Sequence, residues 1–244
     1  YSGNDQTGFS VSTDTARTWT VHNSGLPTDT LWNPWNGTYY FTKVNCIGVT
    51  ENYVFCATKK GVYRNTKSLG QWTQVNTGLP ISEVSLLKVF NDTLFAIYSD
   101  KIYRSIDFGA NWQLKYTAPS RISAIAKSNQ KLYIGTNSNG VLVSVDNATT
   151  FSNMNSGLTD TNVTTLAIIR SDLLCGTALQ GVFLFQNGSW TNFRNGMVCS
   201  SIGSMSANNS IIIATDRTKV YKHNNSGDWT EVPFPSFPNY PNLS

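Results

Sequence analysis

At 244 residues the chain is long enough for one large domain or two small ones. It is 40% hydrophobic and only 13% charged, and Asn, Ser, Thr and Gly are abundant, which suits many short strands joined by tight polar turns. The net charge is +4 and the densest basic cluster is Lys59-Lys60, so nucleic-acid binding is not indicated; no apolar run reaches the length of a membrane span.

The predicted elements recur along the chain. Small or apolar residues ending one strand stand at Gly3, Cys56, Ala96, Gly135, Gly176 and Ala214, separated by 53, 40, 39, 41 and 38 residues. Five positions after each comes the residue that opens the next strand: Gly8, Gly61, Lys101, Gly140, Gly181 and Lys219. Four of these six are glycine, as a tight turn favours. An aromatic follows the anchor at offsets of 16, 16, 16, 16, 14 and 15: Trp19, Trp72, Trp112, Phe151, Trp190 and Trp229. Self-similarity at this period defines a repeat architecture.

Each complete copy predicts four strands, a to d. In one copy these are Ile122 to Ala126, Lys131 to Gly135, Gly140 to Val145 and Phe151 to Met154, rich in β-branched and aromatic residues. No copy contains a helix-length stretch with 3.6-residue periodicity, which excludes a helical solenoid. A lone four-stranded sheet leaves a face unburied, and radial stacking of such sheets solves this. The expected fold is therefore an all-β propeller.

In chain order, residues 1–27 predict a partial first blade with strands c and d and a stub of b, because Tyr1-Ser2-Gly3 aligns with Tyr133-Ile134-Gly135. Residues 28–41 predict an aromatic loop insertion: Leu26 to Val44 spans 18 residues, where Leu79 to Val84 and Leu158 to Val163 span 5. Full blades are predicted at 43–80, 83–118, 121–158, 162–196 and 199–233. The tail 234–244 carries Pro235, Pro238 and Pro241 and is a poor source of strands. The expectation is five complete blades plus part of a sixth, from a complete protein of six or seven, with further residues upstream. A second chain completing the first blade is the alternative.

The segment Ser105-Ile106-Asp107-Phe108-Gly109-Ala110-Asn111-Trp112 resembles the Asp-box, or BNR repeat, with its Ser-x-Asp-x-Gly-x-x-Trp pattern. Ser12, Asp14 and Trp19 form a second copy, and Ser144, Asp146 and Phe151 a third, with Ala16 and Ala148 at the glycine position. The copies at Trp72, Trp190 and Trp229 are eroded. Asn-Ser/Thr-Gly-Leu recurs at Asn23 to Leu26, Asn76 to Leu79 and Asn155 to Leu158. The chain is similar to secreted bacterial proteins built of Asp-box repeats. More distantly, it resembles sialidase-like and sortilin-like propellers. The resemblance implies a structural box: the carboxylate accepts backbone N–H groups across the c–d turn, and the aromatic covers it.

The resemblance also implies a ligand site on the face of the b–c turns and d–a linkers. The candidates there are Trp32, Trp35, Tyr39 and Tyr40 of the insertion, with Lys59, Lys60, Glu83, Arg121 and Asp160. Flat aromatics beside amides suit sugar rings and protein hot spots. The opposing reading is a loop that folds its aromatics inward. The Phe/Tyr-Arg-Ile-Pro sequence of sialidases is absent, and Arg64 and Arg104 occupy equivalent scaffold positions. A glycosidase needs two carboxylates flanking the bond; Asp29, Glu83 and Asp160 lie on linkers, but nothing in the sequence brings two together. His22 and His223 fit surface strands and no metal cluster or cofactor is expected.

The expected function is thus a non-catalytic, secreted or cell-surface module binding an extracellular glycan or protein. The alternatives are a sialidase-like glycoside hydrolase and a structural subunit of a surface or filament assembly. Four cysteines permit disulfides Cys46–Cys56 and Cys175–Cys199. Eight Asn-x-Ser/Thr sequons begin at Asn36, Asn91, Asn147, Asn162, Asn187, Asn208, Asn224 and Asn242 and permit a glycoprotein.

Overall fold

The computed structural model describes residues 1–4, 7–33, 37–216, 218–224 and 226–233. The chain divides into two compact units, Tyr1–Ile122 and Ser123–Ser244. Strands are the regular elements of both.

The first unit holds three sheets and a ribbon. Strands β1 (Ser2–Asn4), β2 (Gly8–Val11) and β3 (Thr20–Val21) pair antiparallel in that order. Strands β4 (Asp29–Asn33) and β5 (Gly37–Phe41) form a two-stranded ribbon, with Asp29 opposite Phe41 and Asn33 opposite Gly37. Two four-stranded meanders follow. The first is β6 (Cys46–Val49), β7 (Tyr53–Thr58), β8 (Gly61–Thr66) and β9 (Thr73–Gln74). The second is β10 (Leu86–Phe90), β11 (Thr93–Tyr98), β12 (Lys101–Ser105) and β13 (Gln113–Thr117).

The second unit repeats the meander three times, its first strand starting on the last residue of the first unit. The sheets are β14 (Ile122–Ser128) to β17 (Ser152–Asn153), by way of β15 (Lys131–Thr136) and β16 (Val141–Ser144); β18 (Val163–Ile169), β19 (Asp172–Thr177), β20 (Val182–Gln186) and β21 (Ser189–Asn192); and β22 (Ser204–Ala207), β23 (Ile212–Thr215), β24 (Val220–His223) and β25 (Thr230–Val232).

Six blades are therefore present among the described residues, not five and a part. The supposed stub pairs in full register, Ser2 with Ser10, Gly3 with Phe9 and Asn4 with Gly8, so the first blade is a three-stranded sheet in its own right. The insertion at 28–41 is also not a loop. Asp29–Asn33 and Gly37–Phe41 carry β-formers such as Thr30, Thr38 and Tyr40, and the two runs pair antiparallel. The tail 234–244 lies outside the described residues.

The second strand of a blade shows why the blades need one another. The last five residues of β7, β11, β15 and β19 are all buried. Side chains alternate between faces along a strand, so burial of every residue means cover on both sides. In β7, Val54 and Cys56 join a cluster with Phe9 and Val44 of the preceding segment, whereas Phe55 and Ala57 join Leu87 and Leu94 of the following one. In β19, Leu173 and Cys175 pack with Ala124 and Tyr133, whereas Leu174 packs with Met205 and Ile212.

This alternation also overturns both disulfides: all four cysteines are free thiols. Cys46 lies opposite Ala57, and Cys56 lies opposite Ile47. The offset of one residue puts the two sulfurs on opposite faces of the sheet. Cys175 sits in the cluster on one face of its sheet, and Cys199 packs against the cluster on the other. Burial pushes the thiols of Cys56, Cys175 and Cys199 above the ordinary range.

Two joints tie successive blades together within each unit. At the outer strand, the indole N–H groups of Trp72, Trp112, Trp190 and Trp229 donate to the carbonyls of His22, Val75, Met154 and Phe193 in the blade before, at 2.7, 2.8, 2.5 and 2.7 Å. Their own backbone N–H groups donate to Ser24, Thr77, Ser156 and Asn195, each at 2.8 Å. These acceptors are the second residue of the Asn-x-Gly-Leu motif and of its variant Arg194-Asn195-Gly196-Met197. The motif glycine follows in left-handed backbone; a Cβ on Gly25 or Gly78 would stand 2.3 or 2.2 Å from the next tryptophan's carbonyl oxygen. The motif asparagine clamps its own b–c turn: Asn76 Oδ1 accepts from the Val62 N–H at 2.7 Å, and Nδ2 donates to the Lys60 carbonyl at 2.9 Å.

The aromatic thus locks onto the preceding blade rather than covering its own turn. Trp19, in the first blade, is 45% exposed, against 3% for Trp72. At the inner strand the second joint is polar: Asn45 donates to the Val84 carbonyl at 3.0 Å, Ser123 to the Val163 carbonyl and Thr164 to the Ile202 carbonyl.

Candidate functional site

The three Ser-x-Asp turns are built alike. Ser12, Ser105 and Ser144 donate to Oδ1 of Asp14, Asp107 and Asp146 at 2.8, 2.7 and 2.8 Å. The same oxygens accept the backbone N–H of Thr18, Asn111 and Thr150, each at 2.9 Å. Oδ2 takes the Thr18 hydroxyl, the Asn111 amide and the Thr150 hydroxyl at 2.6, 2.9 and 2.6 Å. The Thr18 hydroxyl, then its N–H and then Ser12, push the Asp14 carboxyl down to about 2. The Asn111 N–H and amide lower Asp107, and the Thr150 hydroxyl and N–H lower Asp146. Carboxylates that accept several donors from their own turn are fixed as turn anchors. Ala16 and Ala148 adopt φ of 67° and 71°, where Gly109 has 85°, so alanine is held in a glycine conformation.

At the opposite ends of the sheets, the b–c turns are held by buried threonines. Thr58, Thr136 and Thr177 donate to the Gly61, Gly140 and Gly181 carbonyls at 3.0, 2.9 and 3.1 Å. Thr58 also accepts the Lys60 N–H at 3.1 Å, and the Lys60 ammonium reaches the Thr28 carbonyl at 3.4 Å, the base of the β4–β5 ribbon. Lys59 and Lys60 are exposed on this turn.

Beside it lies a recess of about 480 Å³ lined by Asn45, Glu83, Ser85, Ser99 and Arg121. Asn45 immediately precedes β6, Glu83 and Ser85 lie on the linker into β10, Ser99 is in the β11–β12 turn, and Arg121 precedes β14. The Asn45 amide donates to Glu83 Oε1 at 3.0 Å, and the Lys43 ammonium stands 3.7 Å from the same oxygen. Ser85 donates to the Ile97 carbonyl at 3.0 Å, and the Ile122 N–H donates to the Ser99 carbonyl at 2.8 Å, which sets Arg121 beside the turn. Ser99 takes φ of 56°, an uncommon left-handed conformation for a serine.

Glu83 and Arg121 thus share one recess. Asp160 belongs to the second unit, where it bridges backbone: Oδ1 accepts the Asn162 N–H at 2.9 Å and Oδ2 the Leu179 N–H at 2.8 Å. Trp32 and Tyr39 fall within the ribbon strands, Tyr40 is 74% exposed, and Trp35 lies outside the described residues. His223, expected on a surface strand, is 4% exposed and packs on Phe193 and Trp229, with Nε2 3.0 Å from the Gly227 carbonyl oxygen. It stands where other blades place the box serine and does that residue's turn-holding work. Asn45, Ser85 and Ser99 escaped the sequence reading. Asn45 and Ser85 share one repeat position, each directly after a buried valine, and that polar column was the available signal.

Six β-meander blades define a β-propeller, and known proteins agree. Residues 42–166 match the DUF6242 beta propeller domain, and the chain belongs to that family. No curated protein matches it. Among solved structures it is similar to the extracellular domain of a one-component system from B. thetaiotaomicron (TM-score 0.68, 17% identity, 96% of this chain and 33% of that one). It is also similar to the GH74 xyloglucanase from Xanthomonas campestris (0.68, 15%, 95% and 43%) and to YCF48 bound to D1 peptide (0.63, 14%, 88% and 71%). At these identities the likeness is one of fold. The chain spans about a third of the first and less than half of the second.

Proposed function

We propose that the chain is a non-catalytic binding module of Asp-box type, acting at the cell surface or outside the cell, that holds a glycan in the recess of Glu83 and Arg121. The carrying observation is the convergence of a carboxylate, a guanidinium, an amide and two serines from four segments on one recess. Such a set hydrogen-bonds sugar hydroxyls without a charged ligand, and about 480 Å³ is within the usual size of ligand pockets. The lining contributes one carboxylate, where hydrolysis of a glycoside uses two. Asn45 and Lys43 orient that carboxylate, which favours recognition. The exposed Tyr40 on the neighbouring ribbon offers a ring for stacking on a sugar face. The likeness to an extracellular domain supports the compartment.

A glycan array, probed with the chain and with Glu83→Gln and Arg121→Ala, tests this reading. The expected result is binding to a defined set of glycans, reduced at least tenfold in both variants with unchanged melting temperatures. Glycan binding that both variants retain would remove the recess from the site. An array without hits would remove the glycan. A peptide array then asks for a peptide ligand instead, as in YCF48 bound to D1 peptide.

A further inference from the structure

The second unit contains another recess, of about 310 Å³, at the ends of its sheets that carry the a–b and c–d turns. Leu174, Leu184 and Phe193 contribute to its apolar floor, and Arg170 and Asp172 stand at its rim with His223 in the wall.

The recess arises where three features of the repeat fail together. At the corresponding junction of the first unit, the space is filled. The Phe108 ring packs with its centroid 5.5 Å from that of Tyr53, and the Arg64 guanidinium lies 4.7 Å over the Tyr53 ring and donates to the Phe108 carbonyl at 3.0 Å. A Cβ on Gly109 would meet Val75 at 3.1 Å. In the second unit Asp172 opens β19 as Tyr53 opens β7, and Leu184 stands at the place of Arg64. The c–d turn is also shorter by one residue, since Trp229 follows His223 by six positions where Trp112 follows Ser105 by seven. Among the described residues, nothing lies within 4 Å of a Cβ placed on Gly227. Three coordinated changes at one junction thus leave an open recess where the first unit is filled.

We propose that this recess binds a free apolar amino acid. The size is at the lower limit of ligand pockets, enough for one small molecule. The floor accepts an aliphatic or aromatic side chain. The rim presents both signs of charge: Asp172 for the ammonium group and Arg170 for the carboxylate, a pairing the guanidinium fork makes in two parallel bonds. Arg170 is placed by its own backbone, with φ of 57°, and by its Nε bond to the Asn209 carbonyl at 3.3 Å, which leaves both terminal nitrogens unused by that bond.

The test is titration of the chain with L-leucine and with L-phenylalanine, read by calorimetry and by amide chemical shifts. The expected result is saturable binding of at least one of them, with shifts at Arg170, Asp172 and Leu184. Phenethylamine, which lacks the carboxylate, and 3-phenylpropionate, which lacks the ammonium group, bind at least tenfold more weakly. Arg170→Ala and Asp172→Asn, both on the rim, each weaken binding at least tenfold without change in melting temperature. Three results would overturn the proposal: no saturable response to either amino acid up to about 10 mM, far above the Kd range of ordinary recognition; equal affinity for the truncated probes; or binding that both rim variants leave intact.

Discussion

The indole N–H of Trp112 donates to the backbone carbonyl of Val75, which belongs to the blade before it. The same bond is made by Trp72, Trp190 and Trp229, so the recurring aromatic is a joint between repeats. Phe151 holds the same repeat position with a ring that has no N–H.

Replacing Trp112 by phenylalanine keeps a buried ring but strips the Val75 carbonyl of its partner. Leaving a buried acceptor unpaired costs about 1–3 kcal/mol. Trp112→Ala also opens a cavity and is expected to cost about 3–5 kcal/mol. Trp19→Ala, at an exposed position, is expected to change stability by less than about 0.5 kcal/mol. Urea unfolding of the three variants checks the order. Equal losses at Trp19 and Trp112 would contradict the joint.

The left-handed positions give a pair of opposite effects. Ala16 sits at φ of 67° and is exposed, so Ala16→Gly relieves backbone strain and is expected to stabilise by roughly 0.5–1 kcal/mol. Gly78→Ala combines φ of 90° with a Cβ 2.2 Å from the Trp112 carbonyl oxygen, and is expected to destabilise by more than about 2 kcal/mol. Melting temperatures that move in the same direction for both would refute this account of the turn and the joint.

The Asp14 carboxyl is held at about 2, below the 3.8 of a free side chain. A depressed carboxylate stabilises the fold above its unfolded value, and that contribution is lost as pH falls through the folded one. Loss is therefore expected between pH 3.8 and about 2, and none above pH 5 or so. Carboxyl carbon shifts followed by NMR should give Asp14 a midpoint well under 3.8. Thr18→Val, which removes the largest cause of the shift, should raise the midpoint.

Period and strand order were legible because each copy repeats the same alternation of β-formers and turn residues, and the tight-turn residues recur at fixed offsets. The joint was half legible: Asn-x-Gly-Leu and the tryptophan were both visible, but not that one blade's motif grips the next blade's ring. The cysteines were misread because proximity along strands does not reveal register, and an offset of one residue reverses the face. The hairpin at 28–41 was misread because it has no counterpart in other copies to expose its pairing. Glu83 and Arg121 could be placed on linkers from spacing alone, whereas Ser99 joins them through a b–c turn whose left-handed serine departs from the threonine-held pattern.

The outer joint uses atoms from two neighbours and nothing more distant. A stretch of about forty residues therefore carries a socket for its successor and a plug for its predecessor. Copying such a stretch inserts a blade whose two ends already fit, so gene duplication can lengthen this chain in whole units, and later drift at two strands and a turn together, as at Asp172, Leu184 and His223, can open a recess at a seam.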